Sequence, residues 1–451
     1  MIKHCITILA IVFLAVPVNG QNSEATQLLK ERSEHLKPIM TKVSASVYTA
    51  SGYSPANISM IVGEDGLVIV DTGMSPEHAR TVLTEFRKIS DLPIKGIILT
   101  HGHGDHTGGA SVFVEDGEQK PAIFAHSPFN TEGEHFQSGG VTINGLRGAR
   151  QGGFRLPPDK RINNGIAPAV YPSEERNAFV GEPPVPTDTF QDGRRKISVA
   201  GLDLELVAAP GETADQLYVW FPKERVVFTG DNFYRSWPNL YAIRGTAYRD
   251  VQDWIRSLGM MIQENPAHAV PGHTQPVVGE EQTMEVLTNY RDAIQHVFEQ
   301  TIEGMNEDMT PDQLVEYVEL PEHLRDLDYL REYYGNIEWS VRSIFTGYLG
   351  WFNGNPTQLF SLPPAEEAKR MVDLAGGEPA LREAAVKALK EGDAQWAAEL
   401  CDHLLALDPN DVSIRSLKAD ALEFLAQNLI TATGRNYYLT VAQELRKPVP
   451  K

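Results

Sequence analysis

Thr100-His101-Gly102-His103-Gly104-Asp105-His106-Thr107-Gly108-Gly109 is the stretch on which the reading of this chain turns. It follows directly on Gly96-Ile97-Ile98-Leu99, a short apolar run that reads as a buried strand. Three imidazoles and a carboxylate lie within six residues, and these are donors that suit a borderline cation such as Zn²⁺. His101 and His103, two apart in extended chain, can face one ion; Asp105 and His106, beyond a glycine turn, can face a second. The interleaved glycines let the backbone fold closely around both. Four unrelated surface residues are the alternative, and such density straight after a buried strand argues against it.

Outward from this loop the texture is strand-rich from residue 46 to about 275. Met60–Val62 and Leu67–Val70 flank Gly63-Glu64-Asp65-Gly66 and read as a hairpin. Leu202–Val207 alternates, Leu217–Phe221 is apolar throughout, and Val226–Phe228 follows a Pro-Lys-Glu-Arg turn. Helical patterns at 76–89 and 250–264 interleave, which predicts an α/β domain. Residues 21–45 carry a weak helical period. Residues 127–195, rich in Gly, Pro, Arg and Asn, show little periodicity and read as an irregular insert placed as a lid. After about 280 the period turns helical. Glu285–Glu303 reads as one helix with Leu287, Tyr290, Ile294, Val297, Phe298 and Ile302 as its stripe. Helices at 378–391, 393–407 and 411–429 follow. Trp396, Ala397, Leu400, Leu404 and Leu407 pair with Ile414, Leu417, Ala421 and Leu425 in one tetratricopeptide-like hairpin, without a second copy.

Four segments in order give the loop a family likeness. His101-Gly-His103-Gly-Asp105-His106 resembles the HxHxDH signature of the metallo-β-lactamase superfamily. Val68-Ile-Val-Asp71-Thr-Gly73 resembles its first motif, whose Asp supports the loop. Phe228-Thr-Gly230-Asp231 resembles the bridging-acid segment, and Val270-Pro-Gly-His273 the last histidine segment. Pro210-Gly211-Glu212-Thr213 stands where the third histidine is usual, which resembles the secreted alkyl sulfatase branch. The resemblance implies an αβ/βα sandwich followed by an all-α dimerisation and tetratricopeptide-like region. It also implies two Zn²⁺ per subunit. His101, His103 and Glu212 would hold the first; Asp105, His106 and His273 the second; Asp231 would bridge them. Activated water at that centre, with Asp105 part of the catalytic set, would cleave a sulfate ester to alcohol and sulfate.

Asn239-Leu-Tyr-Ala-Ile-Arg244 matches the spacing of the branch's sulfate-binding Asn and Arg. Segments around Tyr334–Arg342, Tyr348–Pro356 and Arg435–Leu439 resemble its dimerisation region and imply a homodimer. Three departures stand out. Asp231 replaces a Glu, and the sulfate-contacting Tyr has no clear counterpart in Arg147–Arg155. The branch's C-terminal sterol-carrier-like domain, which helps hold the alkyl chain, is expected to be absent, since the sequence ends at Lys451. A less covered alkyl tail is then expected to gain less than about 0.8 kcal/mol per CH₂.

The rest of the composition bounds the partners. The 451 residues carry 40 Lys+Arg against 60 Asp+Glu, a net charge of −20. Such a surface repels phosphate backbones and argues against nucleic acid. Lys3-His4, the apolar run Ile6–Val16 and Pro17-Val-Asn-Gly20 have the layout of a secretory signal, so a secreted or periplasmic protein is expected, with no stable membrane span. Of two cysteines, Cys5 lies in that signal and only Cys401 remains, so no intrachain disulfide forms. The expected domains are a signal at 1–20, a catalytic domain at 21–285 and a helical dimerisation domain at 286–451. Two alternatives stay open: a metallo-hydrolase of another ester, lactone or β-lactam, and a non-catalytic dimeric scaffold. Glu212 and Arg244 argue against the β-lactam, and competent donors at every ligand position argue against the scaffold.

Overall fold

The computed structural model describes residues 23–172, 180–191 and 193–448. The expected signal at 1–20 lies outside them. The chain forms two compact units. The larger holds Leu28–Ser361 and Leu429–Val441; the smaller gathers Leu362–Asn428 with residues near both ends.

Two twisted sheets make the core of the larger unit. One runs Ile39–Lys42, Val47–Ser51, Ile58–Val62, Leu67–Val70, Ile94–Ile98, Ala122–His126 and Asp188–Phe190 across its width. The other runs Val277–Val278, His268–Pro271, Val226–Gly230, Leu217–Phe221, Leu202–Ala208 and Arg194–Val199. The Gly63–Gly66 hairpin forms as read, with Ile61 opposite Val68. Period-two alternation sorts each strand between two cores. Leu217, Val219 and Phe221 face the other sheet, where they meet Val68, Val70 and Ile98. Tyr218 and Trp220 face the opposite way, into a cluster with Trp254, Leu287, Tyr290 and Ile294. On the far side of the first sheet, Leu67 and Ile69 pack with Val82, Phe86 and Phe113. The result is helices, sheet, sheet, helices. An apolar run such as Leu217–Phe221 is buried on both faces because it lies inside this stack.

The expected helices form at Pro76–Arg87 and Val251–Gln263, each started by a side-chain cap from Ser75 or Asp250. The helix expected at Glu285–Glu303 runs longer, from Glu280 to Asn306. The insert departs from the sequence reading: Thr131–Ser138 and Ile143–Gln151 are helical, and its final residues join the two sheets. In the smaller unit, Pro364–Ala375, Glu378–Glu391, Ala394–Leu407 and Val412–Gln427 pack in succession around Leu381, Leu400, Leu404, Ile414 and Leu417. Trp396 and Leu407, read as part of that stripe, are instead exposed. No helix among the described residues is long and apolar enough to cross a membrane.

Candidate metal centre

Five loops meet at one edge of the sandwich, each leaving the carboxyl end of a strand. Asp71 follows Leu67–Val70, Thr100–His106 follows Ile94–Ile98, Glu212 follows Leu202–Ala208, Asp231 follows Val226–Gly230, and His273 follows His268–Pro271. Parallel pairing of Leu67–Val70 with Ile94–Ile98, and of Val226–Gly230 with His268–Pro271, brings those ends together. Close approach there needs glycine. A Cβ on Gly272 would sit 1.9 Å from Asp231 Oδ1, and one on Gly102 would sit 2.4 Å from Asn130 Cα.

The donor atoms fall into two groups, His101, His103, Glu212 and Asp231 in one and Asp105, His106 and His273 in the other, each within 4.8 Å. His101 Nε2 and His103 Nδ1 are 2.9 Å apart. Glu212 Oε2 lies 3.6 Å from the former and 3.3 Å from the latter. Asp231 sits between the groups: Oδ1 is 3.3 Å from His106 Nε2 and Oδ2 is 3.0 Å from His273 Nε2. Asp105 Oδ2 is 3.5 Å from His273 Nε2 and 3.9 Å from His106 Nε2. All seven ligand residues expected from the sequence thus converge.

Surrounding groups fix which atom each ligand turns inward. Asp71 accepts from the Thr100 amide and hydroxyl, both at 2.8 Å, and from His106 Nδ1 at 2.8 Å. His273 Nδ1 donates to the Pro55 carbonyl at 2.7 Å, and the Thr100 hydroxyl lies 3.1 Å from His101 Nδ1. Glu132 lies 2.9 Å from His103 Nε2. Burial favours the neutral Glu132 carboxyl, but His103, Arg244 and Arg249 outweigh it and hold it down at about 2. Burial likewise opposes charge on Glu212, yet Arg249 and His103 keep that carboxyl well below the usual range.

Three inward atoms, His106 Nε2, Glu212 Oε2 and Asp231 Oδ1, are buried with no hydrogen-bond partner. Buried polar atoms are rarely left so. Divalent cations of borderline character, one at each group, would satisfy them, and a set of four imidazoles and three carboxylates suits that chemistry. The residues present fit the ion.

The two expected oxyanion contacts fare differently. Asn239 is buried with its side-chain nitrogen unpartnered. Arg244 Nη2 lies 3.1 Å from Glu132 Oε1 and 3.2 Å from His103 Nε2, so it stands at the rim of the centre, in an ion pair. Glu132, Arg249 and Tyr334 escape the sequence reading. Glu132 opens a helix in the stretch taken as irregular. Arg249 sits five residues past Arg244 with no motif of its own. Tyr334, read with the dimerisation region, stands close enough to Glu212, Arg244, Asp105 and Arg249 to feel their charges, and burial raises its hydroxyl pKa. A cavity of about 280 Å³ opens beside Glu132, Glu212 and Arg249.

Residues 52–273 match the metallo-beta-lactamase superfamily, and residues 310–448 match the alkyl sulfatase dimerisation family. A linear primary-alkylsulfatase of a Pseudomonas species is 39% identical over 86% of this chain and 73% of its own. An (R)-specific secondary-alkylsulfatase of Pseudomonas is 30% identical over 91% of this chain and 63% of its own. For an alkyl/aryl-sulfatase of Saccharomyces cerevisiae the identity is 29%, over 91% and 64%. The chain therefore spans less than two thirds of the last two relatives. The solved structure of the stereoselective inverting sec-alkylsulfatase Pisa1 from Pseudomonas superposes with a TM-score of 0.82 at 29% identity, covering 92% of this chain and 66% of that one.

Proposed function

This chain belongs to the alkyl sulfatase family of the metallo-beta-lactamase superfamily, whose members are sulfuric ester hydrolases, and from that membership we propose that it hydrolyses alkyl sulfate esters to alcohol and sulfate at a centre holding two Zn²⁺ ions. The observation that carries the reading is the trio of unpartnered buried atoms, His106 Nε2, Glu212 Oε2 and Asp231 Oδ1, facing one another across two donor groups. Such ions supply an activated water and offset charge on the departing oxygen.

The chain's own residues do the rest. His101, His103 and Glu212 would hold one ion and Asp105, His106 and His273 the other, with Asp231 placed between the two groups. The unpartnered amide of Asn239 and the fork of Arg244 take sulfate oxygens. On a chain of net charge −20, an anionic head needs cations of its own at the site, and Arg244 is one at its rim. Glu132 orients His103 through Nε2. The test is inorganic sulfate released from alkyl sulfates of graded length, beside a matched phosphate ester, a carboxylic ester and a lactone. Sulfate release is the expected result. Turnover of the lactone or carboxylic ester without any sulfate release would replace this reading with the other hydrolase.

Two further parts of the proposal lie outside the centre. A homodimer is supported by the dimerisation family match and by the exposed segment Tyr348–Phe360, where Trp351 is 73% and Phe360 94% exposed. Export through the signal at 1–20 is supported by the sequence alone, and N-terminal sequencing of the exported protein checks the cut after Gly20.

A further inference from the structure

The ligand group around His101 contains a carboxylate with two oxygens in unlike surroundings. Glu212 Oε1 accepts from Arg249 Nη1 at 2.6 Å, whereas Oε2 has no hydrogen-bond partner and lies within 3.6 Å of both His101 Nε2 and His103 Nδ1. Both partners are buried, with side chains 2% and 3% exposed. The same Arg249 nitrogen donates at 2.6 Å to the carbonyl of Asn239, which fixes the guanidinium to the loop carrying the expected sulfate contact. From the other side, the Glu212 amide donates to Asn232 Oδ1 at 3.1 Å. The carboxylate is therefore gripped at one oxygen and presented at the other.

Charge points the same way. Three carboxylates, Glu212, Asp105 and Asp231, share this small volume. Removing one partner from a buried ion pair leaves an uncompensated charge, and that is strongly destabilising. Arg244 pairs with Glu132, which is not among those ligands, so among the described residues Arg249 is the cation that contacts a ligand carboxylate directly.

We propose that Arg249 is a positioning residue for the metal centre: by holding Oε1 of Glu212 it offers Oε2 alone to the ion beside His101 and His103, and its charge makes a carboxylate tolerable at that ligand position. This rests on the metal-centre reading given above. A consequence is that the two residues form one unit. An imidazole at position 212 is neutral and presents a single lone pair, so it needs no counter-ion, and with that lone pair toward the ion its ring N–H would meet the Arg249 N–H donors.

The experiment is equilibrium dialysis against Zn²⁺ with elemental analysis, on the full chain and on R249M, R249K, E212H and E212H/R249M, with circular dichroism to follow folding. Wild type is expected to hold two equivalents; fewer would overturn the metal reading itself, and this inference with it. R249M is expected to hold one, with affinity for the second lowered about 10–100-fold. R249K, which keeps the charge but not the geometry that lets one nitrogen reach both Glu212 Oε1 and the Asn239 carbonyl, should fall between. E212H alone is expected to bind the second ion poorly, and E212H/R249M to regain it. Retention of both ions by R249M at wild-type affinity would overturn the inference. So would a double variant that binds no better than R249M or does not fold, since Arg249 would then serve the fold independently of Glu212.

Discussion

At Asp71 the backbone takes a left-handed turn, φ 56°, that aims a carboxylate back at Thr100 and His106. Asp71→Ala leaves the Thr100 amide and His106 Nδ1 without their acceptor. It should lower stability by about 3 kcal/mol, read as a shift in denaturant midpoint at unchanged slope. Arg244 is tested by kinetics: Arg244→Ala should cost about 2–5 kcal/mol in kcat/KM on every alkyl sulfate, as removing a charge-assisted contact does. Near-normal turnover would release Arg244 from the sulfate and leave it as the partner of Glu132 alone. Glu132→Gln should weaken metal binding about 10–100-fold by loosening His103, which dialysis measures. These residues differ in how far they could be read ahead of the fold. His101, His103, Asp105 and His106 are local, packed into one loop after one strand, so the sequence displays them together. Asp231, Glu212 and His273 needed the ordered motifs. Glu132 and Arg249 act only because distant loops converge, and a lone Glu or Arg bears no mark of that.

Among elements, strands were legible where both faces are buried, because Leu217–Phe221 and Leu67–Val70 have to be apolar throughout. The helices of the insert were not. Thr131–Ser138 buries no residue and contains Gly133, so it carries no apolar stripe to read. The helix Pro76–Arg87 was legible from its period and its Ser-Pro start, yet its most consequential residue is polar. His78 is buried against Tyr171, with ring centroids 4.6 Å apart, and burial lowers its pKa to about 4. A histidine with a depressed folded pKa contributes its full stability above its unfolded value of about 6.5 and loses it as pH falls through 4. Between those values His78 should subtract up to about 1.4 kcal/mol per pH unit, about 3 kcal/mol in all. His78→Phe, which keeps a ring and removes the titration, should flatten that part of the stability profile. Superimposable profiles would show that His78 does not govern it.

For the whole molecule, the chain's two compact units make separable behaviour the expectation. Stripping metal with a chelator should lower the thermal transition of the larger unit, which holds every ligand residue, and leave that of the four-helix segment Pro364–Gln427 in place. Light scattering at micromolar concentration should give twice the chain mass; a monomer mass would remove the dimer proposal. The central claim is that sulfate ester hydrolysis depends on two ions held by seven named residues. The measurement that meets it most directly is a titration of the metal-free protein with Zn²⁺, following inorganic sulfate released from an alkyl sulfate against equivalents bound. Turnover should rise as the second equivalent fills and stop there, and His103→Ala should bind at most one ion and release no sulfate. Full turnover in the metal-free protein, or none with both equivalents bound, would contradict it.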